Sequence, residues 1–137
     1  MSRLRHIAPT ALALLAPILA GCGGAVSTGN LKGESKAVAQ RIADFQTDVT
    51  GSEAKKLCNQ DFARTVAERL RATGTSCTQA LKSQLGAIDD YELTLETVSV
   101  TGKTATARVK STWSGKTRMS TLKLVKEDGT WKISGLA

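Results

Sequence analysis

Histidine is nearly absent: the 137 residues hold one, His6, inside the opening segment. Beyond it the chain has no imidazole, which excludes Ser-His and Cys-His nucleophile arrangements and histidine base chemistry. Cysteine is scarce at three, and two thiols without a histidine make only half a zinc shell. No phosphate-binding loop, metal cluster or cofactor motif occurs, so no cofactor or metal is expected. Aromatic residues are 4% of the chain, namely Phe45, Phe62, Tyr91, Trp113 and Trp131. Nucleic-acid binding combines such rings with a basic stripe, and here the 19 lysines and arginines are scattered without a dense block. Nucleic acid is not an expected partner. An uninterrupted spanning segment is missing too: the apolar stretch from Ile7 to Ala20 is broken by Pro9, Thr10 and Pro17. A helix crossing a bilayer needs roughly 20 apolar residues, so this stretch reads as an export signal rather than an anchor.

What is present begins with charge. Arg3 and Arg5 form a basic start before the apolar stretch, which closes on Leu19, Ala20, Gly21 and Cys22. Those four residues resemble the lipobox of bacterial lipoproteins. The resemblance implies cleavage before Cys22 and attachment of a diacylglycerol to its thiol. Acyl chains bind a bilayer at about 0.8 kcal/mol per buried CH₂, and two or more chains hold where one does not. The expected location is extracytoplasmic, tethered to the cell membrane, with the lipid bilayer as a partner through acylated Cys22. The alternative is an ordinary signal peptide with Cys22 a spare thiol.

In an oxidising compartment, Cys58 and Cys77 are then an even pair. A bridge between them would stabilise a small domain by about 3 kcal/mol on the chain-entropy model. Two buried free thiols are the other reading. The net charge is +7 with the opening arginines; a mild positive balance suits a solvated surface or attraction to anionic lipid heads.

Three segments are expected: residues 1–21 as the signal, 22–33 as a lipidated cysteine and glycine-rich flexible tether, and 34–137 as one domain. Helical spacing starts at Ser35, with Val38, Ile42, Phe45 and Val49 as one stripe and Arg41, Asp44 and Asp48 on other faces. Ser52 is placed to cap a short helix through Cys58, and Asp61 to cap a third carrying Phe62, Val66 and Leu70. Ser76 and Gln79 have capping-box spacing for a fourth helix with Leu81 and Leu85. After Ile88 the period becomes two. Tyr91, Leu93 and Leu95, then Ala105, Ala107 and Val109, alternate with polar residues. Turns at Gly102, Ser114-Gly115 and Asp128-Gly129 divide four strands of an antiparallel meander. Helices packed on such a sheet give an α+β fold.

The Leu-Cys at 57–58, the Gly-Thr-Ser-Cys at 74–77 and the Val-Lys-Glu-Asp-Gly-Thr-Trp-Lys-Ile run at 125–133 resemble small bacterial lipoproteins of the nuclear transport factor 2-like, or cystatin-like, superfamily. The resemblance implies a curved sheet wrapping helices into a cone, often with an apolar pocket, on a fold that serves enzymes, carriers and interaction modules alike. Without histidine, catalysis would fall to carboxylates, Asp44 with Asp48, Asp89 or Asp90, with Tyr91 as oxyanion donor. These residues read more simply as solvated faces and strand ends. The expectation is therefore a non-catalytic interaction module of the cell envelope, the alternatives being a carrier of a small apolar ligand or lipid in the cone and, behind it, a carboxylate-dependent enzyme. Possible pocket or interaction residues are Phe45, Tyr91, Trp113 and Trp131.

Overall fold

Four helical segments precede four strands in the computed structural model, which describes residues 26–137; the expected lipobox and Cys22 lie outside them. Helix α1 (Gly33–Thr50) buries Val38, Ala39, Ile42 and Val49, the stripe that its 3.6-residue period creates. The buried set also contains Asp48, which corrects its assignment to a solvated face. Helix α2 (Ala54–Lys56) runs directly into a π-helical turn, Leu57–Asp61, in which Phe62 N–H donates to Leu57 O. Ser52 does not cap α2: it adopts φ 56°, and Glu53 holds the N-cap position without a side-chain bond.

Asp61 does not cap the next helix either. Helix α3 (Arg64–Arg71) has Ala63 at its N-cap, and Asp61 is fully buried three residues before the helix begins. Helix α4 (Cys77–Leu85) starts at the expected capping box, Gln79 N–H donating to Ser76 Oγ at 3.2 Å and Ser76 N–H to Gln79 Oε1 at 3.2 Å. Cys58 on the π-helical turn and Cys77 are joined by a disulfide. It ties the turn to the start of α4 around the α3 segment.

Strands β1 (Tyr91–Thr101), β2 (Thr104–Trp113), β3 (Lys116–Glu127) and β4 (Thr130–Leu136) form one antiparallel sheet in the order β1-β2-β3-β4. Ser114-Gly115 and Asp128-Gly129 both take positive φ, the demand of a two-residue turn whose twist matches the strands. Pairing shifts between Leu95 and Thr97 on β1 and beside Lys123 and Leu124 at the β3–β4 ladder. Such bulges bend strands, and the first moves the inward positions from Leu93 and Leu95 to Val98 and Val100.

One face of this sheet packs on α1. Val38, Ile42, Leu93, Ala107, Val109 and Leu124 are each 0–2% exposed. A void holding water would leave such side chains accessible, so the layer between α1 and the sheet is filled. A second apolar cluster joins Val49, Leu57, Cys58, Ala67, Cys77, Leu81 and Leu85 around the disulfide. Val26, in the stretch expected to be free tether, is instead buried in the main core.

Candidate functional site

The expected aromatic residues have separate fates. Phe45 stands between the two apolar clusters, its ring 6.0 Å from Phe62 and 6.2 Å from Tyr91, the latter edge-on at 90°. It fills the junction rather than lining a pocket. Burial also pushes the Tyr91 hydroxyl pKa above its ordinary value. Trp131 is 3% exposed, and its indole N–H donates to Glu34 Oε2 at 2.6 Å. It is a sheet anchor whose polar edge is already occupied, which removes it from the ligand-facing set.

Trp113 is different. It lies opposite Lys116 at the end of the β2–β3 hairpin, in the same alternation as Ala105, Ala107 and Val109, yet is 50% exposed. Phe45 of α1 covers Tyr91 on β1, whereas Trp113 on β2 is left half in solvent. Tyr91 is the cross-strand partner of Trp113 on β1. A hollow of about 770 Å³ opens at this end, lined by Ser111, Trp113, Ser114, Lys116, Thr117 and Arg118. No carboxylate among the described residues forms an ion pair with Lys116 or Arg118, whereas Asp90 is engaged by Ser114 N–H at 3.2 Å. An indole face beside two unpaired cations suits a planar, electron-rich or anionic group.

Two other hollows are smaller. One of about 470 Å³ lies along hydroxyl-bearing residues of the opposite sheet face, including Ser99, Thr101, Thr104 and Thr106. Another of about 370 Å³ lies between α3 and the β3–β4 hairpin, where Arg64, Arg71 and Lys132 face Glu68, Glu127 and Asp128. Among the described residues no group of His, Cys, Asp and Glu is arranged to hold a metal ion. No helix there is long and apolar enough to cross a membrane.

Asp44 and Asp48, the carboxylates open to a catalytic pairing, have different surroundings. Asp44 is partly exposed and accepts from Gln40 Nε2 at 3.0 Å, whereas Asp48 is buried and lies beside Asp61. Asp61 Oδ1 accepts from Arg41 Nη1 at 2.6 Å, while Arg41 Nε donates to Trp131 O at 3.0 Å. Thus Arg41 ties α1 to both the π-helical turn and β4. Burial, only partly offset by Arg41 and reinforced by Asp48, pushes the Asp61 carboxyl up to about 6. This centre was missed in the sequence, although Arg41 and Asp48 sit seven residues apart beside the apolar stripe. That spacing puts both on one flank of the helix, which was the available signal.

Residues 49–135 match the model of a family described as "putative lumazine-binding". The chain belongs to that family. Among solved structures, an NTF-2 like protein of unknown function from Silicibacter pomeroyi is similar at 17% identity with a TM-score of 0.53, over 73% of this chain and 89% of that one. An NTF2-like protein from Campylobacter jejuni, described as a "putative" transpeptidase, aligns at 16% identity and a TM-score of 0.47, over 70% and 95% of the two chains. The first likeness supports the NTF2-like α+β cone fold. No curated protein matches the chain.

Proposed function

We propose that this chain is an exported, lipid-anchored domain that binds a small planar ligand at the Trp113 end of its sheet. The observation carrying the proposal is a half-exposed tryptophan that lines, with Lys116 and Arg118, a hollow of about 770 Å³. Volumes of this order accommodate small molecules. Membership of a family described by lumazine binding supports a fused, flat heterocycle as the ligand class. This takes up the alternative carrier reading in place of the expected interaction module, and its site moves: the layer under α1 is filled, so the ligand sits at the open end rather than inside the cone.

The action proposed is binding without catalysis. The hollow's side chains are hydroxyl, indole, ammonium and guanidinium groups, which supply no general base near neutral pH. An interaction module presenting its sheet to an envelope protein is the second reading, favoured by the filled core.

The anchor gives the site a direction. Glu34, at the start of α1, contacts Lys126 and Trp131 at the β3–β4 end of the sheet. Trp113 lies at the other end of β2, roughly 30 Å away along the strands. Cys22 precedes buried Val26 by four residues, a reach of at most about 14 Å. Lipidated Cys22 would thus hold the domain close to the bilayer.

Titration of the full chain with lumazine, following tryptophan fluorescence, tests the reading. Quenching in wild type that is lost in Trp113→Leu is expected. Equal quenching in both, or none in wild type at millimolar ligand, contradicts it.

A further inference from the structure

We infer that Asp48 and Asp61 form a single proton-binding site, one proton being held between the two carboxyls where α1, the π-helical turn and β4 meet. Asp61 is fully buried, and its Oδ2 has no hydrogen-bond donor. Oδ1 is taken by Arg41 Nη1, so the free oxygen is the one left for Asp48. Two carboxylate oxygens facing each other repel when both are ionised; one proton turns the clash into an O–H···O⁻ hydrogen bond. A buried acceptor without a donor is costly, and that proton supplies the donor.

The surrounding charges fit one proton. From α1, Arg41 bonds Asp61, and its Nη1 lies 3.8 Å from Asp44. From α2, Lys56 lies 3.6 Å from Asp48 and 3.6 Å from Glu53. From β4, Lys132 turns its ammonium to the carbonyls of Asn59 and Gln60 and contributes its field at Asp61. Arg41 balances one anion of the pair directly, whereas half-exposed Lys56 reaches Asp48 only from the solvent side. A hollow of about 270 Å³ bordered by Arg41, Asp48, Lys56 and Gln60 gives water access for exchange. Loss of the proton would expel Asp48 toward that hollow and loosen the contact between α1 and the turn.

The sign follows from the raised Asp61 pKa. The folded state binds a proton more tightly than the unfolded chain, so this stabilisation is complete below pH 3.8 and is lost as pH rises through about 6. Asn at position 61 copies the protonated form, its Oδ1 accepting from Arg41 and its Nδ2 donating to Asp48.

The test measures thermal midpoint against pH for the purified full chain, Asp61→Asn and Asp48→Asn, with ¹³C carboxyl titration of the wild type. One of the two aspartates should titrate near pH 6, and Asp61→Asn should flatten the fall in midpoint between pH 4.5 and 7.5. If Asp61→Asn does not fold, the carboxyl titration and Asp48→Asn decide. Asp48→Asn should move the Asp61 titration downward, with burial still holding it above the ordinary aspartate value. Both wild-type carboxyls titrating below pH 4.5, or an unchanged pH profile in Asp61→Asn, overturns the shared site.

Discussion

Glu34 and Trp131, 97 positions apart, are joined by an indole N–H···carboxylate bond of 2.6 Å, and the other Glu34 oxygen accepts from Lys126 Nζ at 2.6 Å. Lys126 also stands 5.8 Å over the Trp131 ring. The first turn of α1 is thereby fixed to the last hairpin, with the indole providing both the apolar mass and the polar link.

These bonds hold the Glu34 carboxyl below its ordinary value of 4.5, Lys126 contributing most. Their stabilisation is complete above that value and is lost as pH falls through the lowered pKa. Glu34→Gln should lower the thermal midpoint at pH 7 and converge on wild type as pH falls below the lowered Glu34 pKa. Equal midpoints at pH 7 would show the bonds to be without consequence.

Reduction of the Cys58–Cys77 bridge, or Cys77→Ala, should cost about 2–5 kcal/mol of stability, read by denaturant unfolding. An unchanged midpoint after verified reduction would assign the work to packing of the second cluster alone.

Ala107 is 0% exposed in the filled layer. Ala107→Leu should overpack it and destabilise by about 1–3 kcal/mol. A neutral substitution would reveal spare volume under α1 and return the ligand to the cone.

Cys22→Ser should move the protein from the membrane fraction to the soluble one or leave an uncut precursor. Recovery as a cut, membrane-bound species removes the lipid anchor from the account.

The sheet was legible because its signals are local. Turn residues at Gly102, Ser114-Gly115 and Asp128-Gly129 separate alternating strands, and the Ser76–Gln79 box marks a helix start by itself. Asp61 was not legible: its burial is tolerable only because Arg41 arrives from a helix 20 residues upstream, so local spacing suggested a cap. Trp113 and Trp131 carry the same side chain in similar strand patterns. Their fates differ because Trp131 meets the start of α1 at Glu34, while Trp113 at the β2–β3 turn is left half exposed. The bulge after Leu95 was equally invisible, since nothing in the alternation of Glu92, Thr94 and Glu96 announces a changed register.

A planar ligand is proposed to occupy the open end of the sheet. The most direct test of this is amide chemical-shift mapping of the ¹⁵N-labelled full chain during titration with lumazine. Saturable shifts clustered at residues 111–118 and around Tyr91 are predicted; shifts centred on Val38, Ile42 and Leu93, or no saturable shifts, would contradict the account.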